Sequence, residues 1–236
     1  MFVRLAAPSC VVPHRVGINC QVLAHHVSEV ALMLLEAQSC LEYDDQDLPL
    51  DLPDLGLTYH AHLPLDLAWD TDLATTLAAI EALVQKIAFV RPWQYVLHPP
   101  APGYLSTLAQ HSPILAKSLS LENIRHADLV DIWDELASLQ LGVCLDLGHM
   151  ISYDQYHIVN LPGFFDRLRM LHVYGGESPQ GHLGLHALPD AKILRDILFR
   201  LNRDCVVVVE IFHWEEFCRS LHMLRTWLDA WGIAHD

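Results

Sequence analysis

The sequence predicts a (β/α)8 barrel that occupies residues 1–236 as a single domain. Short apolar runs alternate with amphipathic stretches along the whole chain, which is the pattern of parallel strands joined by helices. Runs such as Cys205–Val209 show no polar alternation, as expected for strands that are covered on both faces. The length of 236 residues is close to the roughly 250 residues of such barrels.

The predicted elements follow one another in strand–helix order. The first strand is predicted over Leu5–Val12, and a helix follows it over Val16–Val27. The strongest helix signal is Asp72–Phe89, because its apolar residues repeat with helical spacing on one face. Further helices are predicted over Ala127–Leu139, Ile151–Leu168, Pro189–Leu201 and Trp214–Trp231.

The ends of the apolar runs carry side chains that can bind metal ions. In chain order they are His60, His98, Glu122, Asp146 with His149 three residues later, His172 and Glu210. A charged or imidazole group at the end of a buried strand needs a partner. In a parallel barrel all carboxyl ends of the strands lie on one face. We therefore expect these side chains to converge on one site.

The residue types in this set favour a divalent cation. Imidazole and carboxylate ligands without thiolate suit Zn²⁺, Mn²⁺, Fe²⁺ or Co²⁺. Carboxylates can bridge two ions, and a cluster of two or three ions can activate water, orient a phosphate and stabilise the leaving oxygen. Each residue alone could instead cap a helix or belong to a turn. Their joint occurrence favours the metal site.

Composition limits the partners. Lys and Arg number 14 against 29 Asp and Glu, which gives a formal net charge of −15, and the basic residues are scattered. A nucleic-acid partner is therefore not expected, because binding a phosphate backbone needs a basic surface. No apolar stretch has the length of a membrane span. The six scattered cysteines predict reduced thiols in a cytoplasmic protein.

Short motifs around these positions resemble one superfamily. They are His60-Ala-His62-Leu-Pro, Leu97-His-Pro99, Leu121-Glu-Asn123, Leu145-Asp-Leu-Gly-His149, Leu171-His-Val173 and Val209-Glu-Ile211. In this order they resemble the xylose-isomerase-like TIM barrels, which include sugar isomerases, sugar epimerases and abasic-site nucleases of the endonuclease IV type. The resemblance extends over nearly the whole chain.

Similarity to the nuclease branch implies two or three divalent ions per chain. One would be held by the residues His60, His98 and Glu122, and the next by Glu122, Asp146, His172 and Glu210. A third would use His149 and His182, but Gln180 stands where the family has an aspartate, so Glu177 or His186 would have to replace it. The catalytic residues implied by this resemblance are Glu122, Glu210 and His149.

The isomerase and epimerase branch shares a smaller set. It uses the residues matching Glu122, Asp146, His172 and Glu210 for one metal and for proton transfer beside a carbonyl. Many of its members carry an arginine in the loop that corresponds to 173–186, and this chain has none there. The sequence therefore favours phosphoester hydrolysis, with a single-metal sugar isomerase or epimerase as the alternative. An abasic-site endonuclease and a barrel that only binds a ligand are less favoured.

Three segments suggest a particular substrate. The segments 4–10, 60–67 and 181–185 resemble the cobamide-remodelling phosphodiesterases, which cut the nucleotide loop of B12-type corrinoids. This resemblance implies a corrinoid substrate. His62, Tyr174 and His186 are predicted to contact it.

Overall fold

The computed structural model describes all residues 1–236 and contains a closed barrel of eight parallel strands. The strands are β1 (Phe2–Pro8), β2 (Glu29–Met33), β3 (Thr58–His62), β4 (Tyr95–Leu97), β5 (Leu119–Glu122), β6 (Gly142–Asp146), β7 (Leu168–Val173), β8 (Glu177–Ser178), β9 (Gly181–His182), β10 (Cys205–Val209) and β11 (Ala234–His235). Strands β1 to β7 and β10 form the barrel, in which Leu5 of β1 lies opposite Val207 of β10. The short strands β8 and β9 form an antiparallel hairpin, and β11 pairs with β1 outside the barrel.

Helices cover the outside of the barrel. They are α1 (Val16–Leu23), α2 (Ala37–Leu41), α3 (Leu73–Lys86), α4 (Tyr104–His111), α5 (Pro113–Ala116), α6 (Trp133–Ser138), α7 (Leu147–Ser152), α8 (Phe164–Arg167), α9 (Lys192–Phe199) and α10 (Trp214–Trp231). None of them combines the length and apolar composition needed to cross a membrane. The predicted barrel fold is confirmed.

Two of the predicted helices illustrate how local sequence sets their ends. Helix α3 begins after Asp72, whose carboxylate accepts a hydrogen bond from the backbone N–H of Thr75 at 3.0 Å. Helix α10 has the predicted bounds and ends at Gly232, which adopts the left-handed conformation with φ 68°. Both helices place a continuous apolar face on the barrel.

Three predicted elements were wrong in their extent. The predicted helix over Ala127–Leu139 begins only at Trp133, after a 3-10 turn over Val130–Ile132. The first strand ends at Pro8, and Val12 lies in a turn that is held by the side chain of Asn19. The predicted helix over 151–168 is broken into the end of α7, a 3-10 turn over Tyr156–Asn160 and the short α8. Pro162 and Gly163, with φ 71° at the glycine, interrupt the helix before α8.

The core has two layers. A cluster of 59 buried residues fills the space between strands and helices. A smaller cluster of 8 residues fills the barrel interior, where Ala6 and Ala31 meet larger side chains such as Met170. Because the interior is packed with apolar side chains, polar groups are left at the two ends of the barrel. The carboxyl ends of the strands carry most of the predicted ligands.

Candidate metal centre

Four predicted ligands meet at the carboxyl ends of neighbouring strands. Glu122 ends β5, Asp146 ends β6, His172 lies in β7 and Glu210 follows β10. All four residues are buried, and one ligand atom of each lies within 4.8 Å of a ligand atom of every other. His172 Nδ1 is 2.9 Å from Glu122 Oε1 and 3.1 Å from Glu210 Oε2. We call these four residues the central group.

The charges of the central group fit a cation. Three buried carboxylates surround one imidazole, and Asp146 Oδ2 is buried without a hydrogen-bond partner. Burial raises the pKa of Asp146 well above its usual value, and the charges of Glu122 and Glu210 raise it further. Burial also opposes ionisation of Glu122, but His172 and His62 outweigh it and hold the pKa of Glu122 well below its usual range. A divalent ion would relieve the repulsion among these carboxylates and satisfy the buried oxygen.

A second group shares Glu122 with the first. His62 Nε2 is 2.9 Å and His98 Nε2 is 3.6 Å from Glu122 Oε2, whereas Oε1 of the same carboxylate is directed at His172. Burial lowers the pKa of His98 to about 4, although Glu122 opposes the shift. A neutral imidazole has a free lone pair and can bind a metal. The two oxygens of Glu122 therefore serve two different donor groups.

A third group lies beside the hairpin β8–β9. It contains His149, Glu177 and His182, with ligand atoms within 4.8 Å of one another. His149 Nε2 is 2.9 Å from Glu177 Oε1, and Tyr153 donates its hydroxyl hydrogen to Glu177 Oε2. Gln180 is not in this group, and Glu177 supplies its carboxylate. His186 is instead paired with Glu216, 2.9 Å away.

Backbone carbonyls fix the orientation of three of these histidines. Nδ1 of His62 lies 2.8 Å from the carbonyl oxygen of Leu63. Nδ1 of His149 lies 2.9 Å from that of Asn123, and Nδ1 of His182 lies 2.8 Å from that of Glu210. A carbonyl oxygen can only accept, so each Nδ1 carries a proton. The Nε2 atoms of His62 and His149 face carboxylate oxygens, a pairing that is repulsive unless a second proton or a cation lies between the two atoms. This pattern fits metal ligands whose other ring nitrogen is held by the protein.

The structure does not bring His60 to these groups. His60 and His62 point to the same side of β3, because side chains two residues apart share a face. They differ in height by about 6.6 Å, and only His62 reaches the carboxyl end. His60 is fully buried with Nδ1 2.6 Å from Glu29 Oε1. Strand β3 ends at His62, two residues beyond the end predicted from the sequence. His62 therefore occupies the strand-end position that was expected for His60.

The predicted substrate contacts are also placed differently. Tyr174 is fully buried and stacks on His182 with ring centroids 3.7 Å apart and planes at 3°. It therefore lies behind a candidate ligand and does not face the opening. His62 belongs to the second donor group, and His186 lies outside all three groups.

Sequence reasoning missed the role of Asn123. Its buried amide donates to the carbonyl of Asp146 at 2.9 Å, its side-chain oxygen accepts from the N–H of Asp146 at 2.8 Å, and its backbone carbonyl faces His149. Asn123 thereby links the ends of β5 and β6. The Leu-Glu-Asn motif was the available signal, but the motif alone does not show which backbone groups the amide of Asn123 contacts.

Cys144 also lies beside Glu122 and His172. Burial raises the pKa of this thiol to about 12. The Cys144 thiol therefore stays protonated and forms part of the apolar wall of the barrel interior, so nitrogen and oxygen atoms remain as the candidate ligands. The six cysteines are all free.

The opening above the centre is small and has an apolar rim. A cavity of about 220 Å³ contains residues of all three donor groups, including Glu122, Asp146 and His182. Its remaining wall is formed by Met33, Leu35, Leu65 and Phe212. The dimensions suit a small polar molecule or one polar part of a larger molecule.

Gly148 permits the packing behind the third group, which leads to a testable prediction. A Cβ atom at this position would lie 2.1 Å from Tyr174 Cε2. Gly148→Ala is expected to destabilise the protein by about 1–3 kcal/mol and to displace His182, which stacks on Tyr174. Thermal unfolding and metal content measure the two effects. Because alanine normally stabilises a helix relative to glycine, an unchanged or higher melting temperature would contradict this account of Tyr174.

Comparison with known proteins supports the fold. No family model matches the sequence, and no curated protein sequence matches it. Solved structures do match it over nearly its full length. A D-tagatose 3-epimerase-like protein is 14% identical with a TM-score of 0.69, and the match covers 97% of this chain and 98% of that one.

Two further structures give the same result. D-psicose 3-epimerase with D-tagatose, from Clostridium cellulolyticum H10, is 13% identical with a TM-score of 0.62, covering 93% of this chain and 91% of that one. A sugar phosphate isomerase/epimerase from Parabacteroides distasonis ATCC 8503 is 11% identical with a TM-score of 0.62, covering 94% and 95%. The chain thus has the predicted (β/α)8-barrel fold, which it shares with these isomerase and epimerase structures. Nothing in these comparisons points to the cobamide-remodelling enzymes.

Proposed function

We propose that this chain is a divalent-metal-dependent isomerase or epimerase that acts on a sugar or sugar phosphate. The observation that carries the proposal is the central group, in which two glutamates flank one histidine at distances of 2.9 and 3.1 Å beneath the cavity. The names of the structural neighbours, which include sugar 3-epimerases and a sugar phosphate isomerase/epimerase, support the same chemistry. The comparisons thus favour the alternative function over the phosphodiesterase that the sequence favoured.

The residues of the central group can perform proton transfer. Glu122, Asp146, His172 and Glu210 would hold the cation, which when bound polarises a carbonyl or phosphoryl oxygen of the substrate. Burial opposes ionisation of Glu122 and Glu210, but the neighbouring His172 lowers the pKa of both carboxyls. Glu122 and Glu210 are thus two ionised carboxylates that face one cavity. Such a pair can remove a proton from a carbon beside a carbonyl and return a proton at another position.

Phosphoester hydrolysis is the second candidate, and a specific observation favours it. Glu122 directs Oε1 to His172 and Oε2 to His62 and His98, as a carboxylate that bridges two cations would. The third group offers His149, Glu177 and His182 for a further ion. Two or three Zn²⁺, Mn²⁺, Co²⁺ or Fe²⁺ ions per chain are therefore proposed in this case.

A corrinoid substrate belongs to this second candidate and rests only on the sequence resemblance. The cavity of about 220 Å³ could admit the phosphate of a nucleotide loop but not a macrocycle. Such a ring would have to lie against the apolar rim, where Leu65 is 50% and Phe212 is 39% exposed.

Two parallel assays separate the candidates. Protein loaded with each of the four metals is incubated in D₂O with D-tagatose, D-psicose or sugar phosphates, and deuterium incorporation is followed by NMR. The same preparations are incubated with bis(p-nitrophenyl) phosphate and with an intact cobamide. Solvent deuterium at a carbon beside the carbonyl supports the isomerase or epimerase. Release of nitrophenol or of a nucleoside-type fragment, without exchange, supports hydrolysis and rejects the first proposal.

Metal content tests the second donor group directly. His62→Ala is expected to lower the number of bound divalent ions by about one if this group holds a cation, because it removes one of three ligands. His60→Ala should leave the number unchanged, because His60 contacts Glu29 and no donor group. Elemental analysis of both variants, purified without chelator, provides the comparison. Equal metal loss in both variants would refute the assignment of His62, whereas unchanged content in both would favour a single cation in the central group.

A further inference from the structure

A second cavity lies at the opposite end of the barrel from the metal centre. It has a volume of about 420 Å³ and is lined by residues at the amino ends of the strands, among them Arg4 in β1, Trp93 before β4 and Arg169 in β7. Arg4 lies opposite Val206 in the strand register, and Val206 lies opposite Met170, next to Arg169. The two arginines therefore flank the start of β10 from its two neighbouring strands.

Several arginines at this end have no carboxylate partner. The arginine ion pairs of the protein involve Arg4, Arg15, Arg195 and Arg219. Arg167, Arg169 and Arg203 form none, although the protein has a net charge of −15. Arg167 and Arg169 each donate to a backbone carbonyl, and Arg203 Nε is buried without any hydrogen-bond partner.

The arginines also lie close enough to repel one another. Burial, and then the charges of Arg203 and Arg167, lower the pKa of Arg169. Glu29 pairs with Arg4, and Asp204, the one carboxylate of the cavity lining, accepts a hydrogen bond from the backbone N–H of Phe2 and forms no ion pair. A guanidinium group that borders a cavity and has no carboxylate partner, as Arg169 does, is suited to bind a phosphate.

Aromatic surface borders the same cavity. Phe2 is 39% and Trp93 is 36% exposed, and both are part of the lining. The indole N–H of Trp93 donates to Glu29 at 2.7 Å, which fixes the ring. A fixed, partly exposed indole can pack against a flat ring.

We propose that this amino-end cavity binds an aromatic organic phosphate of mononucleotide size, with the phosphate on Arg169 and Arg4 and the ring against Trp93 and Phe2. The site is independent of the proposed isomerase or hydrolase reaction, because none of its residues belongs to the three donor groups.

Calorimetric titration with AMP tests the proposal, with ribose 5-phosphate and adenosine as partial ligands. AMP should bind more tightly than either partial ligand. Arg169→Gln should weaken AMP binding about tenfold, as expected for loss of a hydrogen bond to a charged group. Arg219→Gln is the matched control, because Arg219 pairs with Glu216 outside the cavity, and it should leave the affinity unchanged.

A second variant keeps the test valid if Arg169→Gln does not fold. Arg203→Gln removes a nearby charge that does not line the cavity, and it should weaken AMP binding about threefold. Unchanged affinity in the arginine variants would overturn the proposal, as would the absence of AMP binding at millimolar concentration. Binding that is lost in Glu122→Gln but kept in Arg169→Gln would place the phosphate at the metal centre and would also overturn it. Equal binding of ribose 5-phosphate and AMP would reject the aromatic part.

Discussion

Replacing Glu122 by glutamine is expected to lower kcat/KM by at least about 10²- to 10³-fold, whichever of the two reactions the protein performs. Glu122 is 1% exposed and is the one residue shared by the central and second donor groups. Glutamine keeps the shape of the side chain, but its amide nitrogen cannot bind a cation. Metal content should therefore fall together with activity.

The size of the metal loss distinguishes the two candidates. A loss of about one ion per chain fits a single cation in the central group, and a loss of two fits a bridging carboxylate. Glu81→Gln is the control, because Glu81 lies on α3 with its side chain 60% exposed. Near-normal turnover and metal content in Glu122→Gln would show that the residue only shapes a turn.

Glu29→Gln is expected to lower the free energy of unfolding by about 3 kcal/mol, the largest effect on stability that we predict. The Glu29 carboxylate is completely buried, and four groups surround it at the amino end of the barrel. Oε1 lies 2.6 Å from His60 Nδ1 and accepts from Trp93 Nε1, while Oε2 accepts from Arg4 at 2.8 Å and from Thr58 at 2.9 Å. An amide can accept at only one of the two positions, so two of the four donors lose their partner.

This contribution should depend on pH. Burial opposes ionisation of Glu29, but hydrogen bonds and charge from His60, followed by Arg4 and Trp93, lower its pKa from the usual 4.5 to about 2. A carboxyl with a lowered folded-state pKa stabilises the protein above its unfolded-state value and loses that effect as the pH falls through the folded-state value. The difference in stability between wild type and Glu29→Gln should therefore be full near neutral pH and should shrink between about pH 4.5 and pH 2.

Chemical denaturation at several pH values measures this difference. Glu42→Gln serves as the control, because Glu42 is exposed and accepts only from the neighbouring Gln38 side chain. A difference that stays constant down to pH 2, or that is below 1 kcal/mol at neutral pH, would contradict the assigned role of Glu29.

The sequence determined the fold and most of the candidate ligands. Glu122, Asp146, His172 and Glu210 were found because each ends a buried apolar run, and in a parallel barrel such ends must meet on one face. The predicted bounds of α10, Trp214–Trp231, agree with the structure, in which the helix ends at Gly232. The one-domain organisation over residues 1–236 stays a prediction.

Only the tertiary structure decided which histidine of β3 reaches the centre. Alternation has a period of two residues, so His60 and His62 are equivalent in pattern. Their roles separate only in the folded barrel, where His60 Nδ1 lies 2.6 Å from Glu29 Oε1 and His62 Nε2 lies 2.9 Å from Glu122 Oε2. The hairpin β8–β9 likewise decides which loop residue contacts His149. Glu177 does so, at 2.9 Å, and the residue at position 180 does not. Periodicity determines which face of an element is buried, but register and loop geometry determine which side chains meet, and these depend on contacts between residues far apart in the chain.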